Sequence, residues 1–444
     1  MATITVDFGK NRGTVRPMHA VNNGPAGSAV RGTSNAEAYR AAGIPYARLH
    51  DSAFCTAYGG EFSVDVHRIF RDFTADENDP ASYIFGPTDE YLANIVAAGA
   101  EPFYRLGAAI EHGYKYGTYP PADSAKWARI CEHIIRHYTE GWADGYTYKI
   151  TYWEIWNEPD CRNYDGSTPC WQGTEAQFID FFVTAYVHLK TRFPHLKFGG
   201  PAFASISGTD FILRLLRAVK RAGFDLDFFS FHGYFRRPDE VGESIAAARR
   251  CLDAADMRGT ETILNEWNYI RGWRKEDWIY SLRSEKGIKG AAFDAAVMCV
   301  GQNSDLSMLM YYDARPCGMN GLFDTDFLQP LKGYYAFKMF DRLYRLKNAA
   351  EAVTDGETVY ACAAGTRTGK KAVLISRFDD DDGAPPEDVT ICVRGADGAH
   401  KATVYLLDGD NDMRPVRGET LPADGALTLT LKNFDTVLLT FEPV

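Results

Sequence analysis

The stretch Thr-Tyr-Trp-Glu-Ile-Trp-Asn-Glu-Pro-Asp, residues 151–160, decides the fold of this chain. Its aromatic and β-branched residues are typical of a buried strand, and Pro159 cannot donate to a strand ladder, so we predict a strand that ends near Glu158. A carboxylate at a strand end, with an amide before it and indoles nearby, suits general acid chemistry. Glu154 lies roughly 13 Å back along an extended strand, which is too far for joint work with Glu158. We expect Glu154 to be a structural acid paired with an arginine.

Composition limits the classes of partner. The chain has 444 residues, of which 45% are hydrophobic, so it can bury a large core. Its net charge of -11, without a lysine-rich or arginine-rich run, argues against nucleic acid or an anionic membrane as a partner. No apolar run approaches the length of a membrane span. Oligomeric state cannot be read from the sequence.

The N-terminus and the cysteines favour a reducing compartment. No basic region followed by an apolar core opens the chain, so we expect no secretion signal and a cytoplasmic location, although a trimmed N-terminus would leave secretion open. The 9 cysteines are scattered without Cys-x-x-Cys spacing, which favours reduced thiols. Cys161 and Cys170 bracket one loop, and the sequence leaves open whether they pair.

Strand signals alternate with helical ones over residues 13–347. Helical segments carry caps and an apolar face, as where Thr174 and Gln177 form a possible capping box. No Gly-x-Gly-x-x-Gly turn follows an early strand, so we predict a (β/α)8 barrel rather than an open doubly wound sheet. The predicted strand ends lie near His19, His50, Arg105, Glu158, Pro201, His232, Glu266 and Asp313.

The helical period disappears after residue 347. Short alternating runs separated by turn clusters fill residues 348–444 and predict an accessory β-sandwich. The lone strand within residues 1–12 needs a sheet, and we predict that it joins this sandwich. The acidic turn Asp379–Asp382 is expected to be solvated.

A second carboxylate completes the candidate site. Ile263 to Tyr269 is another apolar strand, in which Asn265 precedes Glu266 and Trp267 follows it. Because strand ends of a barrel converge on one pocket, Glu158 and Glu266 can face each other across its mouth. Two carboxylates flanking a pocket are the arrangement of glycoside hydrolysis. A separation of roughly 5 to 5.5 Å goes with retention and roughly 6.5 to 9.5 Å with inversion.

These motifs resemble glycoside hydrolases of clan A, and within that clan family 39, which contains β-xylosidases and α-L-iduronidases. The clan resemblance rests on Trp156-Asn157-Glu158-Pro159 and on Asn265-Glu266. Arg48-x-His50, Phe231-His232-Gly233-Tyr234 and the two-module organisation add weaker support for the family.

The resemblance implies roles for single residues. Glu158 would be the general acid/base, and Glu266 the nucleophile of a retaining double displacement. Asn157 would hold the sugar 2-hydroxyl, and Arg48 would keep Glu266 ionised. Glu158 must start protonated, so its pocket should raise its pKa. Three further residues would line the sugar site, namely His50, His232 and Tyr234.

Two departures from the β-xylosidase pattern bear on the substrate. Arg105 stands where the xylosidases more often have a carboxylate, and Tyr312 lies in a run that ends at Arg315 instead of carrying a tryptophan and paired acids. We therefore include Arg105 and Tyr312 among the substrate-binding candidates, since the arginines could meet an acidic or larger sugar. Four aromatic residues are candidate sugar platforms, with packing as the alternative, namely Tyr234, Trp267, Tyr269 and Trp273.

We predict neither a cofactor nor a metal. His133 and His137 have helical spacing, but with His112 they do not complete a zinc set. The run from Asp408 to Asp412 lacks the glycine of a calcium loop, so we predict a hairpin turn there.

The predicted function is a retaining, β-xylosidase-like glycosidase that cleaves terminal sugars from oligosaccharides or polysaccharide fragments. An endo-acting enzyme, or one for another terminal sugar, is the first alternative. A non-catalytic carbohydrate-binding barrel is the second. The sugar and its linkage are left undecided by the sequence.

Overall fold

The structure is a computed structural model that describes residues 1–28, 33–50, 64–108, 117–163, 165–396, 400–422 and 425–443. Over these residues, no helix is both long enough and apolar enough to cross a membrane.

The described strands are numbered in chain order. They are β1 (Ala2–Thr14), β2 (Ala20–Asn22), β3 (Gly27–Ser28), β4 (Thr33–Ser34), β5 (Tyr46–Arg48), β6 (Glu101–Leu106), β7 (Tyr152–Ile155), β8 (Lys197–Phe203), β9 (Phe228–Phe235), β10 (Glu261–Tyr269), β11 (Met308–Tyr311), β12 (Asn348–Thr354), β13 (Val359–Gly365), β14 (Lys371–Arg377), β15 (Glu387–Arg394), β16 (His400–Leu407), β17 (Asp412–Thr420), β18 (Ala426–Leu431) and β19 (Thr436–Pro443).

The helices are numbered in the same way. They are α1 (Ala36–Ala41), α2 (Val66–Ile69), α3 (Gly86–Ala97), α4 (Ser124–Thr139), α5 (Glu175–Arg192), α6 (Thr209–Arg221), α7 (Pro238–Ala254), α8 (Lys275–Glu285), α9 (Ile288–Gln302) and α10 (Lys332–Leu346), with a 3-10 turn at Pro80–Ser82.

Eight parallel strands close into a barrel in the order β2, β5, β6, β7, β8, β9, β10, β11 and back to β2. The predicted (β/α)8 barrel is confirmed. Its surrounding helices begin where the sequence supplies caps. In α5 the Thr174 hydroxyl accepts from the Gln177 backbone N–H while the Gln177 side chain accepts from the Thr174 N–H, so the predicted capping box is present.

The barrel interior is layered. Near the amino ends of the strands, Phe103, Tyr152 and Phe228 pack ring against ring, with centroids 5.3 to 5.6 Å apart. This apolar plug closes the lower end of the barrel. Because side chains alternate along a strand, the next inward residues on β7 and β9 are Glu154 and Ser230, which begin a polar layer above it. The functional site lies on top of this layer, at the carboxyl ends of the strands.

The strands of the second module form one continuous sheet in the order β17, β16, β19, β14, β13, β12, β1, β15, β18. β1 pairs antiparallel with β12 and parallel with β15, which confirms that the N-terminal strand joins the C-terminal strands. The rings of Phe8 on β1 and Phe441 on β19 lie 6.2 Å apart although three strands separate β1 from β19. Neighbouring strands lie about 4.8 Å apart, so a flat sheet would separate the two rings by several times that distance. The sheet therefore curves around its apolar face, as in a sandwich.

The turn after β14 docks against the barrel, contrary to the expectation that Asp379–Asp382 is solvated. Asp380 accepts a hydrogen bond from the Tyr269 hydroxyl at 2.5 Å and forms ion pairs with Lys289 at 3.0 Å and with Arg236. Lys289 also pairs with Asp382 at 2.8 Å. The prediction was wrong for Asp380, whose cationic partners are far away in sequence, whereas Asp381 and Asp382 are exposed as expected. We call Asp380, Asp382 and Lys289 the sheet clamp.

Two predicted strand ends are corrected. His19 precedes the first barrel strand, and its Nε2 lies 3.1 Å from the carbonyl of Gly43, so β2 instead delivers Asn22 toward the pocket. β7 ends at Ile155, three residues before Glu158. The chain leaves the ladder there because Trp156 and Glu158 adopt φ of 74° and 46°.

Candidate active site

One arginine organises the base of the site. Arg48, at the end of β5, donates from Nε to Glu154 at 2.7 Å, from Nη1 to Glu266 at 2.9 Å and from Nη2 to Asn157 Oδ1 at 2.6 Å. Its Nη1 also donates to Asn22 Oδ1 at 2.9 Å. All of these side chains are buried, so each charge depends on its partner. We call Arg48, Glu154, Asn157 and Glu266 the ionic floor.

Glu154 fulfils the structural role expected of it. Besides Arg48, it accepts from the Ser230 hydroxyl at 2.6 Å and from Asn265 Nδ2 at 2.5 Å. These bonds leave Glu154 beneath the pocket, where it orients the arginine.

A β-bulge places Glu266 in the pocket. Leu264 pairs with Phe231, but the next pair along β9 joins His232 to Glu266, so Asn265 is one extra residue in β10. A bulge re-aims the side chains that follow it. As a result both Asn265 and Glu266 reach the interior, whereas strict alternation would have allowed only one of them.

A short left-handed turn places Glu158. Its N–H donates to the carbonyl of Ala202 at 2.9 Å, and its carbonyl accepts from the N–H of Cys161 at 3.1 Å. A glutamate at φ of 46° is uncommon, and such conformations cluster at functional sites. The Trp156 indole turns away from the pocket and donates to the carbonyl of Cys170 at 2.8 Å, which anchors the turn.

The two predicted catalytic carboxylates face each other. A carboxylate oxygen of Glu158 and one of Glu266 lie within 4.8 Å, with His232 Nδ1 within the same distance of both. His232 Nδ1 is 2.7 Å from Glu158 Oε1 and 3.4 Å from Glu266 Oε2. Tyr234 donates its hydroxyl to Glu266 Oε2 at 3.0 Å, and His50 Nε2 lies 3.3 Å from Glu266 Oε1. The sequence predicted each of these residues, and the fold brings them together.

Burial dominates the protonation of this cluster. It raises the pKa of Glu266 to about 7, and the charge of Glu158 adds to the rise, while His232 and Arg48 oppose it. Arg48 was expected to keep Glu266 ionised, but it only moderates the larger effect of burial. Burial lowers the pKa of His232 to about 4 and that of His50 well below its usual value. Both histidines are therefore neutral at neutral pH.

Asn157 retains an unused donor. Its Oδ1 is held by Arg48, while its buried Nδ2 has no hydrogen-bond partner among the described residues. An amide N–H in such a position is costly unless a ligand accepts from it.

The other sequence-predicted residues separate into two groups. Tyr312 borders the cavity, and its ring lies 5.8 Å from that of His50. Arg105 is fully buried under the pocket and pairs with Asp65 at 2.6 Å. Trp267 is also fully buried and packs against Tyr311 at 5.5 Å. The predicted substrate contact of Trp267 is corrected, because the residue after Glu266 points outward into the layer between strands and helices.

The cavity above the ionic floor has a volume of about 770 Å³. Trp273 is 55% exposed, and its ring meets that of Tyr234 at 5.0 Å and stacks on Trp278 at 5.4 Å. We call Tyr234, Trp273 and Tyr312 the aromatic wall. Further lining comes from residues that the sequence reasoning did not select, namely Cys161, Ala204, Ser205, Ile206, Glu243, Ser244, Ala247, Arg250 and Met319. They lie on helices and loops, where no motif marks them.

The residues that the sequence analysis considered as metal ligands have ordinary structural partners where the structure describes them. His133 Nδ1 lies 2.9 Å from the carbonyl of Arg129, and His137 contacts the carbonyl of Trp142 and Asp89. His112 lies outside the described residues. Asp408 accepts from the N–H groups of residues 410 and 411, as the predicted hairpin turn requires. Cys161 and Cys170 do not form a disulfide.

Similarity to solved structures extends over the whole chain. A glucosidase from Croceicoccus marinus is 22% identical with a TM-score of 0.77, covering 100% of this chain and 99% of that one. A monomeric β-xylosidase from Caulobacter crescentus CB15 is 17% identical with a TM-score of 0.71, covering 100% and 99%. A GH51 α-L-arabinofuranosidase from Thermotoga petrophila RKU-1 is 17% identical with a TM-score of 0.72, covering 100% of both. At these identities the likeness shows the fold alone. No curated protein matches in sequence.

A barrel that presents two glutamates to one cavity from its fourth and seventh strands has the architecture of barrel glycoside hydrolases. The sequence profile of glycosyl hydrolases family 39 matches residues 37–265, just over half of the chain. This chain belongs to glycosyl hydrolases family 39. It is a glycoside hydrolase, and the family implies a carbohydrate substrate, which confirms the predicted family and the predicted class of enzyme.

Proposed function

We propose that the enzyme is a retaining exo-glycosidase that releases a neutral terminal sugar by double displacement. The observation that carries this proposal is the approach of Glu158 and Glu266 to within 4.8 Å. Retaining enzymes hold their carboxyl groups about 5 to 5.5 Å apart, whereas inverting enzymes leave room for a water at about 6.5 to 9.5 Å.

In the first step Glu266 attacks the anomeric carbon while Glu158 gives its proton to the leaving oxygen. In the second step Glu158 takes a proton from water, which attacks the anomeric carbon and frees Glu266. His232 Nδ1, 2.7 Å from Glu158, and the hydroxyl of Tyr234, 3.0 Å from Glu266, orient the two carboxylates. The unused N–H of Asn157 is the donor proposed for the sugar 2-hydroxyl.

We favour a neutral sugar because the two arginines that suggested an acidic sugar are both paired with aspartates. Arg105 pairs with Asp65 and Arg315 with Asp313, both at 2.6 Å. Each pair is buried and has little net charge to offer a carboxylate of the substrate. A β-xyloside or β-glucoside is therefore favoured over a glycuronide.

Two variants, one trapping experiment and one product analysis test the mechanism. Glu158→Gln should lower kcat/KM by about 10² to 10⁴-fold, and Glu266→Gln should lower it at least as much. An activated 2-deoxy-2-fluoro glycoside should add one sugar mass to the peptide that contains Glu266. NMR of the first product should show the anomeric configuration of the substrate. An inverted first product would overturn the double displacement.

An endo-acting enzyme remains the second candidate because the cavity continues past the carboxylates. It reaches Glu243 and Arg250 on the outer helix α7, farther than one sugar requires. Digestion of a labelled oligosaccharide distinguishes the two modes. Release of single sugars from one end supports exo action, and internal fragments at early times support endo action.

A further inference from the structure

Two cysteines lie beside Glu158 and play no part in the mechanism. Cys161 Sγ, Cys170 Sγ and a carboxylate oxygen of Glu158 all lie within 4.8 Å of one another. Cys161 borders the cavity, and Cys170 is buried behind it. The short turn that positions Glu158 also positions both thiols, through the bond from the Cys161 N–H to the Glu158 carbonyl and the bond from the Trp156 indole to the Cys170 carbonyl.

We propose that Glu158, Cys161 and Cys170 form an inhibitory site for a thiophilic divalent cation, with Zn²⁺ as the best fit. Two thiolates and a carboxylate are a zinc donor set, and tetrahedral zinc accepts them with bonds of about 2.0 to 2.3 Å. Two thiolates on one such ion lie about 3.8 Å apart, as follows from the bond length. The observed upper limit of 4.8 Å is within a small side-chain rotation of that value.

The fourth position of the ion would be open to water from the cavity. Binding of Zn²⁺ releases the protons of both thiols and of the Glu158 carboxyl, and it leaves a bis-thiolate complex with the Glu158 carboxylate. No oxidant or reductant takes part. The cation enters through the cavity, which Cys161 borders.

The inhibition rests on the proposed function. A cation bound to the Glu158 carboxylate holds it without a proton, so the general acid is lost while the metal is present. The ion is therefore a reversible inhibitor and not a cofactor.

Metal binding is tested first, independently of turnover. The full chain is kept reduced with a phosphine, freed of metal with a chelator and titrated with Co²⁺, whose thiolate complexes absorb by charge transfer. We expect one equivalent of Co²⁺ to bind and Zn²⁺ to displace it. Cys161→Ser and Cys170→Ser should each abolish the charge-transfer band and weaken Zn²⁺ binding by more than the roughly 10- to 100-fold that loss of an outer-shell partner costs. Cys392→Ser, a half-buried thiol on β15, is the control and should bind like the wild type.

Inhibition is then measured as the ratio of turnover with and without Zn²⁺ within each protein, which removes any effect of a substitution on basal activity. Wild type and Cys392→Ser should lose activity with one equivalent of Zn²⁺ and regain it with chelator, while Cys161→Ser and Cys170→Ser should keep their activity in the presence of Zn²⁺.

The absence of a charge-transfer band, or a band that survives both the Cys161→Ser and the Cys170→Ser substitution, would overturn the site. A Cys161–Cys170 disulfide found by peptide mapping of the reduced sample would also overturn it. Binding without inhibition would instead overturn the role of Glu158 in the proposed function.

Discussion

The ionic floor and the aromatic wall of the pocket are held by different parts of the chain. The floor is made by residues on barrel strands or directly after them, and Arg48 fixes it by charge. The wall combines Tyr234 near the end of β9 and Tyr312 just after β11 with Trp273 on the segment that follows β10. The sheet clamp contacts the ends of β9 and β10 from the second module through Arg236 and Tyr269. The barrel alone therefore sets the chemistry, whereas the position of the outer wall depends on both modules.

The largest effect should come from breaking the floor at Arg48. Arg48→Met leaves Glu154 and Glu266 buried without their cation, so the free energy of unfolding should fall by about 3 to 5 kcal/mol. We expect kcat/KM to fall at least about 10²-fold, since the nucleophile loses its orientation. Urea unfolding and steady-state kinetics measure the two effects. A matched control is Arg105→Met, which also leaves a buried carboxylate, Asp65, but does not touch Glu266.

Both variants should lose stability, and Arg48→Met should lose far more turnover than the control. Equal losses of turnover would show that the floor acts on catalysis only through stability.

The second-largest effect should be the pH dependence of kcat/KM. Because burial raises the pKa of Glu266 to about 7, the nucleophile becomes protonated as the pH falls through 7. The value of kcat/KM should therefore drop about tenfold for each pH unit below 7. Tyr234→Phe removes a donor to the ionised carboxylate, so it should move this limb to higher pH. An acid limb near pH 4 to 5 in the wild type would contradict the buried setting of Glu266.

The raised pKa of Glu266 also affects the pH dependence of the free energy of unfolding. A carboxyl whose pKa is raised on folding stabilises the protein fully below its unfolded pKa, and this stabilisation is lost as the pH rises through about 7. The cost of ionising Glu266 is on the order of 3 kcal/mol. Glu266→Gln should remove this part of the pH dependence. Urea midpoints of both proteins from pH 4 to 8 provide the comparison.

A smaller effect should come from the sheet clamp. Asp380→Asn removes the anion that Lys289 and Arg236 share, so we expect a loss of about 1 to 3 kcal/mol of stability, as for a buried charge that loses one of its partners. Because the clamp braces the wall and not the floor, KM should rise a few-fold while kcat stays within about twofold. Asp381→Asn, on the exposed neighbour in the same turn, is the control. A fall in kcat with unchanged KM would show that the second module also supports the floor.

The smallest effect should come from Trp273. Trp273→Ala removes an exposed ring, so stability should change by less than about 0.5 kcal/mol. KM for a disaccharide should rise by about 5 to 10-fold, as the loss of 1 kcal/mol or more of stacking would give, while KM for a small aryl glycoside should rise less. Phe327→Ala, on another exposed ring away from the cavity, should leave both values unchanged. Equal increases for both substrates would exclude a contact beyond the first sugar.

The difference between floor and wall also decides what the sequence could predict. Glu158 and Glu266 were found because a strand that ends in an amide and a glutamate is a local pattern, and the barrel makes such ends converge. Trp267 was misplaced because the direction of a side chain depends on the bulge at Asn265, and a bulge is visible only in the pairing of neighbouring strands. Asp380 was misjudged because the partners that bury it, among them Tyr269, are remote in sequence.

The extra residue in β10 makes this strand sensitive to length as well as to composition. Deletion of Asn265 would remove the bulge and restore regular alternation, so that Glu266 would still point into the cavity and Trp267 would still point outward, but Glu154 would lose one of its donors. A single lost codon would thus spare the nucleophile and weaken the ionic floor beneath it.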